Sequence, residues 1–253
     1  MQTLGVNDFE LFFHDLWGFK PFAWQKELAK RVMENNNLPW PEVIALPTAS
    51  GKTACLDVAV FTLAAQADRL EKGEWIAAPR RIFFVVDRRI IVDEAFERGG
   101  KLARRLSGAK DGVLKDVADR LRKIGKTSNP LECHKLRGGI YLSDTWAKSP
   151  LQPAIIASTV DQIGSRLLFR AYGRSHKAWP IQAGLAANDS LILLDEAHCA
   201  VPFMETVRSI SKYRKWAEEP LSPSPSFYAS VMSATPPDGL TDVFVDTSNE
   251  SRD

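Results

Sequence analysis

Two short segments carry the residue types that phosphate chemistry requires. The first, LPTASGKT at residues 46–53, follows an apolar run and precedes a helix-like apolar segment. It matches the phosphate-loop pattern GxxxxGK[ST], except that Leu46 stands where the first glycine is expected. In such a loop, backbone N–H groups surround a phosphate, a lysine ammonium reaches the β- and γ-phosphate oxygens, and a hydroxyl holds Mg²⁺. The positions predicted to bind nucleotide are Thr48, Ala49, Ser50, Gly51, Lys52 and Thr53. A glycine turn that precedes Lys-Thr by chance is the alternative.

The second segment, LILLDEAH at residues 191–198, places two carboxylates at the end of an apolar strand. Burying unpaired charge is costly, so this position indicates a function. In nucleotide hydrolysis, one carboxylate holds Mg²⁺ and its neighbour orients the attacking water. These roles go to Asp195 and Glu196, with Lys52 as the third catalytic residue and Thr53 as the second metal ligand. ATP and Mg²⁺ are thus the expected cofactors. Asp195 as a simple helix N-cap is the alternative.

Strand and helix patterns alternate along the chain. Near-continuous apolar runs, which are typical of strands buried on both faces of a parallel sheet, occur at residues 42–46, 81–86, 154–158, 191–194 and 227–232. Helical patterns lie between them at residues 52–70, 90–106, 114–124, 160–171 and 202–216. This alternation predicts an α/β fold with a doubly wound, mostly parallel sheet. Open sheets of this kind bind ligands at the carboxyl ends of their strands, where both segments lie.

Composition fits a globular protein without a membrane span. The 253 residues are 45% hydrophobic and 25% charged, and the net charge of +2 is too small to indicate a partner. Three cysteines without a CxxC pair favour a reducing cytoplasm over a disulfide framework or a zinc site. No apolar run reaches the ~18 residues of a membrane span, and the amino terminus lacks a basic signal-peptide region.

The segments PTASGKT, DEAH and SAT resemble those of superfamily 2 helicases in order and spacing. The resemblance implies a RecA-like P-loop NTPase domain, the first of two such motor domains, at residues 21–240. Residues 1–20 are then a lead-in, and residues 241–253 a polar tail that is truncated or disordered. By the same resemblance, Gln25 reads the adenine edge and His198 senses the γ-phosphate. Ser233 and Thr235 of the SAT segment link ATP state to movement.

Five further residues are candidates for contact with nucleic acid. Arg88 and Arg89 follow a predicted strand, and Arg137 belongs to a Gly-Gly turn, LRGGIY. Thr159 and Gln162 lie at another strand end, where hydroxyl and amide groups can bind phosphate oxygens. For the arginine-rich helix after residue 87, the alternative is a solvated face with internal ion pairs.

Together, VVDRRIIVDEA, LRGGIY, STVDQIGSRLLFRAYG and LLDEAH resemble the CRISPR-associated helicase–nuclease of type I interference systems, most closely the subtype G (formerly U) form. The resemblance implies an ATP-dependent helicase that moves on single-stranded DNA opened by a guide-RNA surveillance complex. It also implies a second RecA-like domain and an HD nuclease, which this sequence does not show. His14-Asp15 spells HD, but the histidines have no ligand-like spacing; they are His14, His134, His176 and His198. Because the arginine finger belongs to the second domain, we expect this chain alone to bind Mg·ATP weakly and hydrolyse it slowly.

Three alternatives stay open at this point. The chain could belong to another superfamily 2 motor, such as an RNA helicase or a restriction-enzyme translocase. It could be a non-catalytic module that binds nucleotide or a nucleic-acid strand. A P-loop kinase is less favoured, because a SAT segment after a DEAH strand is not expected there. Translocation polarity, oligomeric state and the choice between DNA and RNA do not follow from the sequence.

Overall fold

A single parallel sheet organises the molecule. The computed structural model describes residues 3–34, 40–47, 50–138, 145–195, 201–216, 226–235 and 239–246. Within these residues, seven strands pair in the order β3-β4-β2-β5-β6-β1-β7, and every pairing is parallel. The strands are β1 Val43–Ala45, β2 Arg81–Val86, β3 Glu132–Leu136, β4 Ala154–Thr159, β5 Ser190–Asp195, β6 Phe227–Ser233 and β7 Val243–Val245. The predicted α/β fold with a doubly wound, parallel sheet is therefore confirmed.

Helices cover both faces of this sheet. One layer contains α1 Val6–Trp17, α2 Ala23–Glu34, α3 Cys55–Ala65, α4 Ala67–Glu71, α5 Arg89–Gly108 and α6 Gly112–Gly125. The other contains α7 Thr145–Lys148, α8 Val160–Leu167, α9 Trp179–Ala187 and α10 Val201–Arg214. No helix within the described ranges is both long and apolar enough to cross a membrane.

The central strands are apolar on both sides because both sides are covered. In β2, Ile82 and Phe84 pack into the first layer, while Phe83 and Val85 pack into the second. Neighbouring strands repeat this alternation, so the two cores share the sheet as their common wall. Alternate side chains of a strand point to opposite faces, which explains why the runs read as continuous rather than alternating.

The structure corrects several boundaries. Strand β3, with sequence ECHKL, was not expected because it lies at the sheet edge, is only half-buried and lacks an apolar run. The segment expected as a polar tail, residues 241–253, contains β7, which pairs with β1. The expected helix at 52–70 is divided into a 3-10 turn, α3 and α4, and the one at 160–171 ends at Leu167.

The expected lead-in at residues 1–20 contributes a helix to the core. In α1, Phe9, Phe12, Phe13 and Leu16 are all buried and follow the spacing of one helix face. Phe9 and Phe12 place their ring centroids 5.4 and 5.2 Å from that of Phe61 on α3. The amino-terminal helix thus supports the helix that follows the phosphate loop.

A buried ion pair joins three helices of the same layer. Asp57 on α3 is fully buried and accepts hydrogen bonds from Trp17 Nε1 at 2.9 Å and from Arg98 Nε and Nη2 at 2.9 and 2.6 Å. The Arg98 guanidinium also lies 4.2 Å from the centre of the Trp17 ring. Burial raises the pKa of Asp57, and the Arg98 charge acts against that rise. The three donors satisfy a carboxylate that the core could not otherwise hold.

We predict that Asp57→Ala destabilises the protein by about 3 kcal/mol, because it leaves the guanidinium and the indole N–H without their acceptor. Asp57→Asn should cost less, because it keeps an acceptor oxygen without a charge that burial disfavours. Urea unfolding followed by circular dichroism measures both losses. Equal stability of Asp57→Ala and wild type would contradict this role of the cluster.

Candidate nucleotide site

The phosphate loop connects β1 to α3 at the carboxyl edge of the sheet. It begins at Leu46, whose backbone N–H donates to the Ser233 carbonyl of β6 at 3.2 Å. Gly51 has φ 76° and ψ 32°, a left-handed conformation that a residue with a side chain adopts only under strain. A 3-10 turn, Lys52–Ala54, then leads directly into α3. The loop therefore delivers the backbone to the amino terminus of a helix, where anions bind.

Lys52 and Asp195 meet across this edge although they lie 143 positions apart in the sequence. The distance from Lys52 Nζ to Asp195 Oδ1 is 4.0 Å, and the two side chains are only 11% and 18% exposed. Lys52 comes from the loop after β1, and Asp195 is the last residue of β5. The predicted pair of an ammonium group and a metal-binding carboxylate is thus brought to one place.

The donor set at this place fits Mg²⁺. Thr53 is half-buried in the same 3-10 turn as Lys52, and its hydroxyl and the Asp195 carboxylate are hard oxygen donors. Within the described residues, no group of three His, Cys, Asp or Glu side chains forms a metal cluster. Mg²⁺ in nucleotide sites usually takes one or two carboxylates and completes its shell with water and substrate phosphates, so the fit does not require such a cluster.

Helix α2 supports the loop from one side. Trp24 Nε1 donates to the Ser50 carbonyl at 3.1 Å, and the Ser50 hydroxyl donates to the Pro47 carbonyl at 2.7 Å. Sequence reasoning missed Trp24; its signal was a tryptophan one position before Gln25, since a buried indole N–H needs an acceptor. This bond fixes the loop backbone before Gly51.

Gln25 and Phe22 lie against Gly51. Gln25 is almost fully buried, and its Oε1 accepts a hydrogen bond from the Phe22 backbone N–H at 3.0 Å. A Cβ placed on Gly51 would lie 3.5 Å from Gln25 Nε2 and 3.4 Å from Phe22 Cε2. The Phe22 ring is otherwise 57% exposed, so its open face is available for a flat ring such as a nucleobase. Gln25 is therefore beside the loop, and its adenine-reading role stays a prediction.

The SAT segment lies between the two halves of the site. Strand β6 separates β1 from β5, with Ser233 opposite Ala45 and Met232 opposite Asp195. The buried Ser233 hydroxyl donates to the Thr235 carbonyl at 2.8 Å and accepts from the Thr235 N–H at 3.2 Å. Ser233 contacts the loop through its carbonyl, which accepts from the Leu46 N–H, and Met232 before it lies opposite Asp195. The coupling role of Ser233 and Thr235 stays a prediction.

Cys55, the first residue of α3, is not a nucleophile. It is fully buried, and burial together with the charges of Asp195 and Asp57 raises the pKa of its thiol well above the usual range. The thiol therefore stays neutral, and a neutral thiol is a poor nucleophile. Its place is structural, as a small apolar residue beneath the site.

Arg88 and Arg89 are exposed at the amino terminus of α5, next to the carboxyl end of β2. Arg89 Nη2 lies 3.3 Å from the position of a Cβ on Gly138, so the α5 terminus and the turn after β3 adjoin. Arg137 is instead held inward, with Nη1 2.6 Å from Asp93 Oδ2. The same carboxylate accepts from Lys135 at 2.7 Å, which lowers the pKa of Asp93. The exposed arginines keep their predicted role, while Arg137 has an internal partner.

Thr159 and Gln162 are both buried. Thr159 is the last residue of β4, and Gln162 lies on α8. Arg166 Nη1 donates to Gln162 Oε1 at 3.1 Å and to its carbonyl at 2.7 Å, while Arg166 Nε donates to Gln182 Oε1 at 2.9 Å. Gln162 thus belongs to a buried polar network between α8 and α9. Its contact with a nucleic-acid strand, like that of Thr159, stays a prediction.

Four predicted site residues lie outside the described residues: Thr48, Ala49, Glu196 and His198. His14 and Asp15, which spell HD, lie on α1 with His14 Nδ1 3.5 Å from Asp15 Oδ1, and both side chains are about half exposed. They adjoin neither the loop nor a metal cluster within the described residues.

The parallel sheet, the loop with its left-handed glycine, and the opposed lysine and aspartate define a RecA-like P-loop domain of the superfamily 2 helicase type. In agreement, a family model described as "Type III restriction enzyme, res subunit" (ResIII) matches residues 18–238. The chain belongs to this family.

Comparisons with individual proteins add little to this assignment. No curated protein matches the chain. Among solved structures, the chain is similar to the crystal structure of T. fusca Cas3–AMPPNP, with 16% sequence identity and a TM-score of 0.45. The match covers 89% of this chain and 22% of that chain, so this chain spans less than a quarter of the length of that protein.

We predict that Gly51→Ala lowers affinity for Mg·ATP at least tenfold, because a Cβ strains the left-handed backbone from which the loop presents its N–H groups to the phosphates. Gly73→Ala is the matched control, since Gly73 has φ 70° and open space around its Cβ position. Both variants should lose about 1–2 kcal/mol of stability. Isothermal titration calorimetry measures the affinity. Equal affinities of the two variants would contradict the placement of nucleotide at this loop.

Proposed function

We propose that this chain is the ATP-binding and ATP-hydrolysing motor domain of a CRISPR-associated DNA helicase that translocates on single-stranded DNA during type I interference. The observation that carries the ATPase part is the approach of Lys52 Nζ to Asp195 Oδ1, 4.0 Å apart at the carboxyl edge of a parallel sheet. The CRISPR part is supported by the sequence resemblance of the four segments around Arg88, Arg137, Gln162 and Asp195.

In the proposed reaction, each residue acts through charge or position. Lys52 holds the β- and γ-phosphates and offsets the negative charge that builds up between them. Thr53 and Asp195 would hold Mg²⁺, which would supply positive charge to stabilise the phosphates in the transition state. Glu196, the next residue after Asp195, orients the attacking water. Gly51 and the amino terminus of α3 supply backbone N–H groups to the phosphates.

The proposed path of the strand runs across the same edge of the sheet. Arg88 and Arg89 are exposed there and can contact a phosphodiester backbone. Because such contacts carry no base information, we expect little sequence preference. Ser233 and Thr235, between the loop and β5, would transmit the nucleotide state to the strand-binding surface.

The proposed partners follow from the same resemblance. They are single-stranded DNA, a guide-RNA surveillance complex, a second RecA-like domain and an HD nuclease, within one protein or in separate chains. The proposed location is the prokaryotic cytoplasm.

A restriction-type DNA translocase is the second candidate, and a specific observation favours it. The family to which the chain belongs is described by a subunit of a Type III restriction enzyme, and the match covers residues 18–238. Such a motor and the CRISPR-associated one would share the ATP site. They differ in the nucleic acid that should stimulate them.

We predict that ATP turnover by the 253-residue chain, however slow, rises with oligo-dT and not with blunt duplex DNA or oligo-U. Glu196→Gln should bind Mg·ATP normally and turn it over about a hundredfold or more slowly, because the water loses its orienting base. A phosphate-release assay with each polymer, and calorimetry on the variant, measure these effects. Stimulation by duplex DNA alone would favour the restriction-type motor, and stimulation by oligo-U alone an RNA helicase. Nucleotide binding with unchanged turnover in Glu196→Gln would contradict its role.

We predict that replacing Arg88 and Arg89 by alanine weakens oligo-dT binding and lowers the salt dependence of affinity. Each lost phosphate contact should reduce the slope of log K against log salt by about 0.7. Lys110→Ala, which removes an exposed charge from the loop after α5, is the control and should leave the slope unchanged. Fluorescence anisotropy at several salt concentrations measures the slope. A slope equal to wild type in the double variant would place the strand elsewhere.

A further inference from the structure

The carboxyl-terminal half of α10 and the residue that follows it present a row of cations that the ATP site does not use. Arg208 and Lys212 lie on α10 and Lys215 directly follows its last residue, Arg214; all three are exposed and extend over about 10 Å. Within the described residues, none of the three forms an ion pair with a carboxylate. Arg214, by contrast, points inward and donates to the Ala187 carbonyl at 2.6 Å. Among the described residues, the row therefore forms an exposed positive surface rather than part of the packing of the helix.

An apolar cavity of about 340 Å³ opens beside this row. Its floor comes from α10, from the start of β6 and from the segments before β1 and β7; the apolar lining residues are Trp40, Met204, Val207, Phe227, Tyr228, Ala229 and Leu240. Glu42 is also at the wall, but its Oε2 accepts from the backbone N–H groups of Thr241 and Asp242 at 3.0 and 3.3 Å. The result is a recessed apolar floor with a cationic rim.

Two aromatic side chains stand exposed at the same end of α10. Tyr213 is 61% and Trp216 62% exposed, and their ring centroids are 5.3 Å apart. Lys212 Nζ lies 4.9 Å from the centre of the Trp216 ring. Aromatic residues are enriched at protein interfaces, and tryptophan and tyrosine are among the residues whose removal costs the most binding energy.

This surface is separate from the nucleotide site. Phe227 is the first residue of β6 and Glu42 directly precedes β1, so the cavity lies at the amino edge of the sheet. Lys52 and Asp195 lie at the carboxyl edge, at the other ends of the same strands. A ligand in the cavity would therefore not compete with the phosphates of a bound nucleotide.

We propose that this cationic, apolar-floored surface is a docking site for an acidic segment of a partner protein that inserts an apolar side chain into the cavity. The positive charges of Arg208, Lys212 and Lys215 favour acidic residues on both sides of the apolar side chain in the partner segment. The recessed apolar floor favours an apolar side chain, and a phosphodiester backbone has no such group to bury there. The proposal does not rest on ATP hydrolysis, because the site shares no residue with the nucleotide loop.

The test uses the full 253-residue chain and three fluorescein-labelled probes of equal charge. The first is a short Asp/Glu peptide with a central Leu-Phe pair, the second has Ser-Ser instead, and the third is oligo-dT. Anisotropy should show binding of the Leu-Phe peptide, weakened roughly 10- to 100-fold in the Ser-Ser peptide, because burying one large apolar side chain contributes about 1.5–3 kcal/mol. Oligo-dT should not displace the Leu-Phe peptide.

Charge reversal locates the site. Lys212→Glu with Lys215→Glu should reduce Leu-Phe peptide binding at least tenfold, while the matched double reversal Lys101→Glu with Lys110→Glu, at two exposed lysines elsewhere, should not. Unchanged thermal unfolding and Mg·ATP affinity of each variant show that the fold is retained, and they separate this test from the fate of the proposed ATPase. Three outcomes would overturn the proposal. The two peptides could bind equally well, or oligo-dT could displace the Leu-Phe peptide. The third is that the chain binds no peptide, or binds one whose affinity the double reversal of Lys212 and Lys215 leaves unchanged.

Discussion

The opposition of Lys52 and Asp195 depends on the position of β6 between β1 and β5. The two residues lie at the ends of strands that are not neighbours, and parallel pairing with β6 sets both strand ends at the same edge. Because all three strands run in one direction, a one-residue slip in either pairing would change the height of the loop relative to the carboxylate. The strand register therefore determines the geometry of the candidate nucleotide site as well as the packing of the sheet. It also places Ser233, the last residue of β6 and the first of the SAT segment, between the strands that carry the two halves of the site.

The helices of the first layer hold this geometry in place. Trp24 of α2 binds the Ser50 carbonyl, and Asp57 of α3 accepts from Trp17 of α1 and Arg98 of α5. The loop is thus fixed on its amino-terminal side by an indole and on its carboxyl-terminal side by a helix anchored through a buried carboxylate. Since α5 also carries Arg88 and Arg89, one ion pair links the helix after the phosphate loop to the helix proposed to contact the strand.

A feature of the structure could be predicted from the sequence when the residues that determine it lie close together in the chain. The central strands, Gly51, Lys52 and Asp195 were predictable because an apolar run or a short motif encodes each within a few residues. Strand β3 was not, because an edge strand needs no continuous apolar run, and β7 was not, because its three residues depend on pairing with a strand 200 positions earlier. Trp24 and Asp57 were missed because their partners lie 26 and 41 positions away. The buried polar network around Gln162 was not predictable, because Gln182, to which Arg166 links it, cannot be inferred as a neighbour from spacing.

The most direct test of the account is a crystal structure of the chain with Mg²⁺ and a non-hydrolysable ATP analogue. The account predicts the triphosphate on the backbone of Gly51, Lys52 and Thr53, with Lys52 Nζ within hydrogen-bond distance of a β- or γ-phosphate oxygen. It also predicts Mg²⁺ between the phosphates, the Thr53 hydroxyl and the Asp195 carboxylate. A nucleotide bound elsewhere, or a metal remote from Asp195, would contradict it.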